Sequence, residues 1–568
     1  MKGRKIVSTL LALLLFASLP VSALAATWDI GNGDITVNAG SGGQTVTQGS
    51  QVDVPDDAPV ITGSSDEHSV TINAEKDQTA NVTLSGVNID TSTEDKAAVS
   101  TNGEGNVSIE LDGENTLKSD EGHAGLEKNN GGKLTIADKD KNGKLTAEGG
   151  KYGAGIGGGD KGNGSDIAIT GGEVKATGGY GGAGIGGGNK GDGKDIAISG
   201  DAKVNAQGGD QSGAGIGGGK EGAGSGIAIS GGEVKATGGD FGAGIGGGEN
   251  GDGSGITISG DAKVNATGGK RSAGIGGGDE GSGRDIEITG GKVTASSKNA
   301  GAGIGGGDEG NGEDITITGG EVKASSENVG AGIGGGYKGD GKRIKITDGT
   351  VDAASDKGAG IGGGDDGNGE NIAISGGKVT AKSSKNGAGI GGGMWGKGKD
   401  ITVSGDAQLK VQGGVGDYFD GPGAGIGDGG SRPKGSTGGS PIPGAEVGPD
   451  TSGLTTNGSI EYYAPGADME KDKPTSTTTG KPTEPGKPTE PTEPTEPGKP
   501  TEPIEPAVPE QPEAERGMDA PLYFITDRDG RAVRCRAERK GGVLTVTVDE
   551  DFAVLTSSLS GMTALRAQ

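Results

Sequence analysis

An acidic, glycine-rich loop, Asp160-Lys-Gly-Asn-Gly-Ser-Asp166, recurs with variations through the middle of this 568-residue chain. Closely spaced carboxylate and carbonyl oxygens are the ligands that a hard cation such as Ca²⁺ prefers. The loop comes close to a calcium-binding repeat, Gly-Gly-x-Gly-x-Asp-x-apolar-x. It departs from that pattern because Lys161 stands where a glycine is needed and Ile167 follows Asp166 directly. Later copies drift. The position of Asp160 becomes Asn189, Lys220, Glu249, Asp279, Asp308, Tyr337, Asp365 and Met394. That of Asp166 becomes Asp195, Gly226, Gly255, Asp285, Asp314, Arg343, Asn371 and Asp400. A cation in every copy would not tolerate Lys, Tyr, Met or Arg, so the loops read as polar turns. Asp160, Asp166 and Asp195 are the residues that would serve an occasional Ca²⁺ site, and no other cofactor is expected.

Catalytic constellations are scarce. His68 and His123 are the only histidines, and no arginine lies between Arg4 and Arg271. Neither a Ser/His/Asp set nor the basic residue of a polysaccharide lyase can be assembled, so no enzyme is expected. Sugar binding has more to work with. Tyr152, Tyr180 and Phe241 sit in turns at equivalent places of successive repeats, where they would line one edge, and Tyr337 and Trp395 fall in the turn that follows. Lys175, Asn205 and Lys235 recur at another equivalent position and would form a polar face suited to acidic sugars. The plain alternatives are turn aromatics that merely pack and a merely solvated face.

The elements that must position these residues follow from a second repeat. Ala-Gly-Ile-Gly-Gly-Gly is written nine times, its isoleucine at 156, 185, 216, 245, 275, 304, 333, 361 and 390. A fixed period of this length marks a solenoid, whose units bury their apolar faces only against their neighbours. Each unit of about 29 residues holds three short alternating runs. In the first they are Ala154-Gly-Ile156, Asp166-Ile-Ala-Ile169 and Glu173-Val-Lys-Ala176. Period-two alternation puts Ile156, Ile167, Ile169, Val174 and Ala176 inward. Length changes fall in the turns. The glycines flanking each repeated isoleucine would then form a bare outer wall: a flat docking surface, or a bend the coil requires.

The chain divides further. Residues 1–25 read as a secretory signal peptide, with Lys2, Arg4 and Lys5, an apolar core and an Ala-Leu-Ala cleavage site. Residues 26–150 carry irregular short β patterns, and 151–430 the regular array. Residues 431–515 are Gly/Ser-rich and then Pro/Thr/Glu-rich, the composition of a disordered, extended linker. Residues 516–568 read as a small β-meander, short enough to be part of a larger domain. Cys535 is the only cysteine, which excludes an internal disulfide framework. A formal net charge of -27 argues against nucleic acid and anionic lipid. No segment after the signal is long and apolar enough to span a membrane.

Val82-Thr-Leu-Ser-Gly-Val-Asn-Ile89, Ala97-Ala-Val99 and Val107-Ser-Ile-Glu-Leu-Asp-Gly-Glu-Asn-Thr-Leu117 form a recognisable series. It resembles the carbohydrate-binding β-helix proteins secreted by Gram-positive bacteria, which bind cellulose and acidic sugars. The glycine-rich array is similar to repeats in large surface proteins of anaerobic Gram-positive bacteria. The resemblance implies a right-handed parallel β-helix, non-catalytic glycan binding and bound Ca²⁺. The expectation is therefore an all-β, secreted or cell-wall-associated solenoid whose partner is a polysaccharide or cell-surface glycan, with self-association as a further mode. A structural stalk or adhesin is the first alternative, and a polysaccharide lyase or hydrolase the second.

Overall fold

The computed structural model describes residues 25–432 and 440–480, and in the C-terminal part the strands Ile525–Thr526, Ala532–Val533, Cys535–Lys540, Val543–Val548 and Leu565–Arg566. The Pro/Thr/Glu tract and all but the last residue of the signal segment lie outside the described residues. The chain forms two compact units, Met1–Gly486 and Lys487–Gln568.

The larger unit is a parallel β-solenoid. Its first regular coil has the strands Ile156–Gly157, Gly164–Ile169 and Glu173–Thr177, where alternation placed them. Each pairs in parallel with its equivalent one coil on: Ile156 with Ile185, Ile167 with Ile196, Val174 with Val204. Three stacks result. The first belongs to a 16-stranded sheet running from Ile35–Gly40 to Ile426–Gly427, with the antiparallel strands Gly43–Gln48 and Gln51–Pro55 at its start. The register Ile35, Val70, Val99, Leu126, Ile156 is continuous, so the irregular N-terminal coils and the glycine-rich array are one solenoid.

Hydrophobic burial explains the register. Ile156, Ile167, Ile169, Val174 and Ala176 are all 1% exposed or less, and their equivalents repeat this up the array. A large aliphatic side chain buried in this way contributes about 1.5–3 kcal/mol. A one-residue slip of any strand would turn its apolar set to solvent, which pins the alignment of coils.

Both ends are covered. Trp28 is buried at the N-terminal end, where its indole Nε1 donates to Asp56 Oδ2 at 2.9 Å. At the other end Ser459–Tyr463 adds in parallel to Gln408–Gln412, and Ser476–Thr479 then adds antiparallel. Residues 440–480 therefore do not open the linker, as their composition suggested. They cap the last coil, whose edge would otherwise offer unpaired backbone groups to another chain. In the C-terminal unit, Cys535–Lys540 and Val543–Val548 form an antiparallel pair.

The glycine wall needs correction. The glycines on both sides of the repeated isoleucine are buried, not displayed. A Cβ at Gly155 would fall 2.5 Å from the Thr177 amide nitrogen, and one at Gly244 2.6 Å from the Gly274 carbonyl oxygen. Gly157 has φ +135°, and an added Cβ there would run into the carbonyl oxygen of Gly186. The face opposite the isoleucine is packed against backbone, so the glycines serve close approach and bending, and no flat docking surface exists there.

Candidate functional site

Each coil has two glycine-rich turns beside the first stack: one before the Ala-Gly-Ile-Gly-Gly-Gly strand and one after it. The structure brings them together. The residue that follows the Gly-Gly-Gly run donates its backbone N–H to the turn of the coil beneath. Asn189 donates to the Tyr152 carbonyl at 2.8 Å, Asp279 to Phe241 at 3.0 Å, Tyr337 to Ala300 at 2.8 Å and Met394 to Lys357 at 3.0 Å. Two columns of side chains thus share one corner along the array.

That corner collects the aromatics. Between Trp28 and Tyr462 the sequence has Tyr152, Tyr180, Phe241, Tyr337, Trp395, Tyr418 and Phe419, and all lie in these two turns. Tyr152, Phe241 and Tyr337 are partly exposed, while Tyr180, Trp395, Tyr418 and Phe419 are exposed, Tyr418 at 86%. Tyr152 and Tyr180 meet edge to face with ring centroids 6.4 Å apart. Phe241 stands on its own, two coils above Tyr180. From the turn before Ile156 to the turn before Ile426 the first stack climbs nine strands. At about 4.8 Å per strand the aromatic stripe is roughly 43 Å long.

The upper end is the most developed. The turn between Gln408–Gln412 and Ile426–Gly427 is longer than its equivalents, and its extra residues display Tyr418 and Phe419, rings 5.0 Å apart. Asp417 Oδ1 accepts the N–H groups of Phe419 and Asp420 at 2.9 Å each, which closes the turn. These same hydrogen bonds hold the Asp417 carboxyl below the usual carboxylate range. Asp420 accepts the Trp395 Nε1–H at 2.8 Å, and the Arg432 guanidinium lies 5.1 Å from the Trp395 ring centroid. Trp395 itself has φ +65°, a conformation that a bulky residue adopts only where its surroundings impose it. Lys161, Lys190, Glu221 and Asn250 hold the same conformation at the equivalent place in earlier coils.

Charged residues fill the corner between the aromatics. Arg271 bridges Asp279, at 2.9 Å, and Asp308, at 2.7 Å. Burial pushes Asp279 up to about 6 despite the Arg271 charge, and burial pushes Asp365 up to about 7. Lys220 pairs with Glu249 at 3.4 Å.

The residues singled out in the sequence fall in three places. Tyr152, Tyr180 and Phe241 are on the corner, as is Asp160, which accepts a hydrogen bond from Asn189 Nδ2 at 2.9 Å. Lys175, Asn205 and Lys235 are exposed and directly in register on the third stack. Asp166 and Asp195 lie at the start of the second stack with φ +54° and +53°, and the ladder there skips them. Equivalent positions are Gly226, Gly255, Asp285, Asp314, Arg343, Asn371 and Asp400, all with positive φ and all but Arg343 short or glycine. Short polar residues and glycine are those that visit this conformation readily, so the recurrent acid there answers a backbone requirement. Among the described residues no group of three or more His, Cys, Asp or Glu side chains is placed to hold a metal ion. Tyr418 and Phe419 were missed in the sequence. The lengthened turn before the last isoleucine was the available signal.

A family model described as a beta helix repeat matches residues 141–160, 167–189, 196–220, 227–249, 256–279, 286–308, 315–337, 344–365 and 372–394. After the first, each match begins in the second stack and ends in the turn that carries the upper column of the corner. This stretch is similar to that repeat, in agreement with the parallel β-helix. No curated protein and no solved structure matches the chain.

Proposed function

We propose that this chain is an exported, non-catalytic glycan-binding β-helix protein, and that the aromatic corner is its binding track. The observation that carries the reading is the gathering of all seven aromatics between Trp28 and Tyr462 onto one corner. Aromatic rings offer broad apolar faces with polar edges, the surface on which a sugar ring can stack. The neighbouring carboxylates, lysines and Arg432 supply hydrogen-bond partners for hydroxyl groups. No histidine follows His123, so the corner has no imidazole to act as acid or base, which favours binding over cleavage, and the acidic charge of the chain favours neutral over acidic glycans.

A glycan array and sedimentation with insoluble polysaccharides test this. Wild-type protein should bind at least one neutral polysaccharide. Trp395→Ala with Tyr418→Ala and Phe419→Ala should lose that binding while keeping the circular dichroism of the fold. Binding that survives the triple variant, or that is absent while host proteins are captured, would support the stalk or adhesin reading. Release of reducing or unsaturated sugars would overturn the non-catalytic reading.

A further inference from the structure

A second feature lies at the C-terminal ends of the first-stack strands in the N-terminal coils. It is a cleft of about 510 Å³ lined by Asn38, Thr45, Asn73, Glu75, Lys76 and Glu104 and floored by Gly40, Gly43 and Gly103. The sequence pattern makes it. Asn38, Asn73 and Asn102 stack directly in register, and Thr45 of the antiparallel hairpin extends the row. Asn73 Nδ2 donates to Asn38 Oδ1 at 2.8 Å, which leaves the Asn38 amide hydrogens and the Asn73 oxygen for a ligand. Gly103 has φ +89° and no room for a Cβ beside the Ala74 carbonyl, so the floor stays free of side chains.

The lining holds no aromatic and, apart from its glycines, Ala39 and Ala74, is polar, so its ligand is held by hydrogen bonds rather than stacking. Its volume falls in the range of small-molecule pockets and far exceeds a bare ion. Glu75 accepts the Ser41 N–H at 3.3 Å through one oxygen. Glu75 and Glu104 face a single ammonium, Lys76, and none of the three enters an ion pair among the described residues. The uncompensated charge favours a cation, and the amide and hydroxyl row favours several hydroxyl groups on the same molecule. We propose that this cleft binds a protonated amino sugar, with Glu75 and Glu104 holding its ammonium and Asn38, Thr45 and Asn73 its hydroxyl groups. Ten strand steps separate Gly103 from the Trp395 coil, roughly 48 Å, so a ligand in the cleft and one at the upper end of the corner would be held at once.

Calorimetry on the full chain with glucosamine oligomers and their N-acetylated counterparts tests the assignment. The free amine form should bind at least tenfold more tightly than the acetylated form. Glu75→Gln with Glu104→Gln should weaken it at least tenfold, and Asn73→Ala several-fold. The comparison is made in the Trp395→Ala, Tyr418→Ala, Phe419→Ala background, so that a neutral oligomer bound at the upper end of the corner does not contribute. Absence of binding, equal binding of the acetylated oligomer, or full affinity in the Gln pair would each overturn the proposal. The test holds whether or not the corner binds glycans.

Discussion

A single methyl group in the middle of the array tests whether the glycines beside the repeated isoleucine are structural. Gly246 has φ +133° and is buried. Holding a non-glycine residue in such a conformation costs on the order of 1–3 kcal/mol. The new Cβ would also run into the Gly276 carbonyl oxygen of the next coil. No rotamer relieves that collision because both partners are backbone, and overpacking of this kind adds about 1–3 kcal/mol. Gly246→Ala should therefore destabilise the solenoid by about 4 kcal/mol, near the top of the range for point substitutions. Gly42→Ala is the control, since its Cβ would meet nothing within 4 Å. Urea unfolding followed by circular dichroism provides the readout. Coils contact only their neighbours, so the damaged coil should lower the midpoint or split the transition in two. If Gly246→Ala unfolds at the wild-type midpoint, the glycines are not required for packing and the reading of a bare, ligand-facing wall returns.

Removal of a core side chain, Ile275→Ala, should cost about 2–5 kcal/mol in the same assay, because Ile275 is fully buried between equivalent isoleucines. Asp365 should make stability pH-dependent. Burial raises its folded pKa to about 7 from the ordinary carboxylate value of 3.8, so the native state binds the extra proton between these values. Stability then falls as pH rises from about 4 to 7. Asp365→Asn should flatten that slope and gain on the order of 2–4 kcal/mol at pH 8, read as melting temperature against pH. An unchanged slope would show that this carboxyl is not the group responsible. Truncation before residue 440 should expose Gln408–Gln412 as an open edge and turn a monodisperse protein into aggregates on size-exclusion chromatography.

The strands were legible because inward isoleucine, valine and alanine alternate in a fixed period, and burial leaves one register for them. Ile167, Ile169 and Val174 needed no tertiary knowledge. The glycine wall was misread because alternation assumes that the residue opposite a core side chain meets water. At Gly155 it meets the backbone near Thr177, a contact 22 residues away in sequence that no local pattern announces. The acidic positions were legible only as drift. Asp195 and Gly226 look unrelated as ligands and become equivalent once both are seen at positive φ. The corner was half legible: Tyr152 and Phe241 share a place in the repeat, whereas Tyr337 and Trp395 join them only because the two turns hydrogen-bond across coils. The cap at Ser459–Tyr463 was hidden by its glycine- and proline-rich surroundings, which concealed that it pairs with the last coil.

The corner is where this architecture leaves room for function. Strand positions are constrained on the first stack by backbone on one face and core on the other, and on the second and third by core packing within, where only outward residues such as Lys175 are exposed. A turn residue is fixed only in its backbone, as the run from Lys161 to Trp395 at φ +57° to +65° demonstrates, with Lys, Glu, Asn, Asp and Trp accepted in turn. Insertions are absorbed there too, since successive isoleucines are 28 to 31 residues apart without any change of strand register. Side chains at that positive-φ position are therefore free of the packing that governs the rest of the coil, whereas Asp279, Asp308, Asp365 and Met394 just before it are buried. Free positions along a polar, acidic chain would be expected to fill with polar residues. Filling them instead with the chain's few aromatics, and leaving four of these exposed, carries a solvation cost that packing does not offset. A ligand covering those rings, as proposed, would offset it.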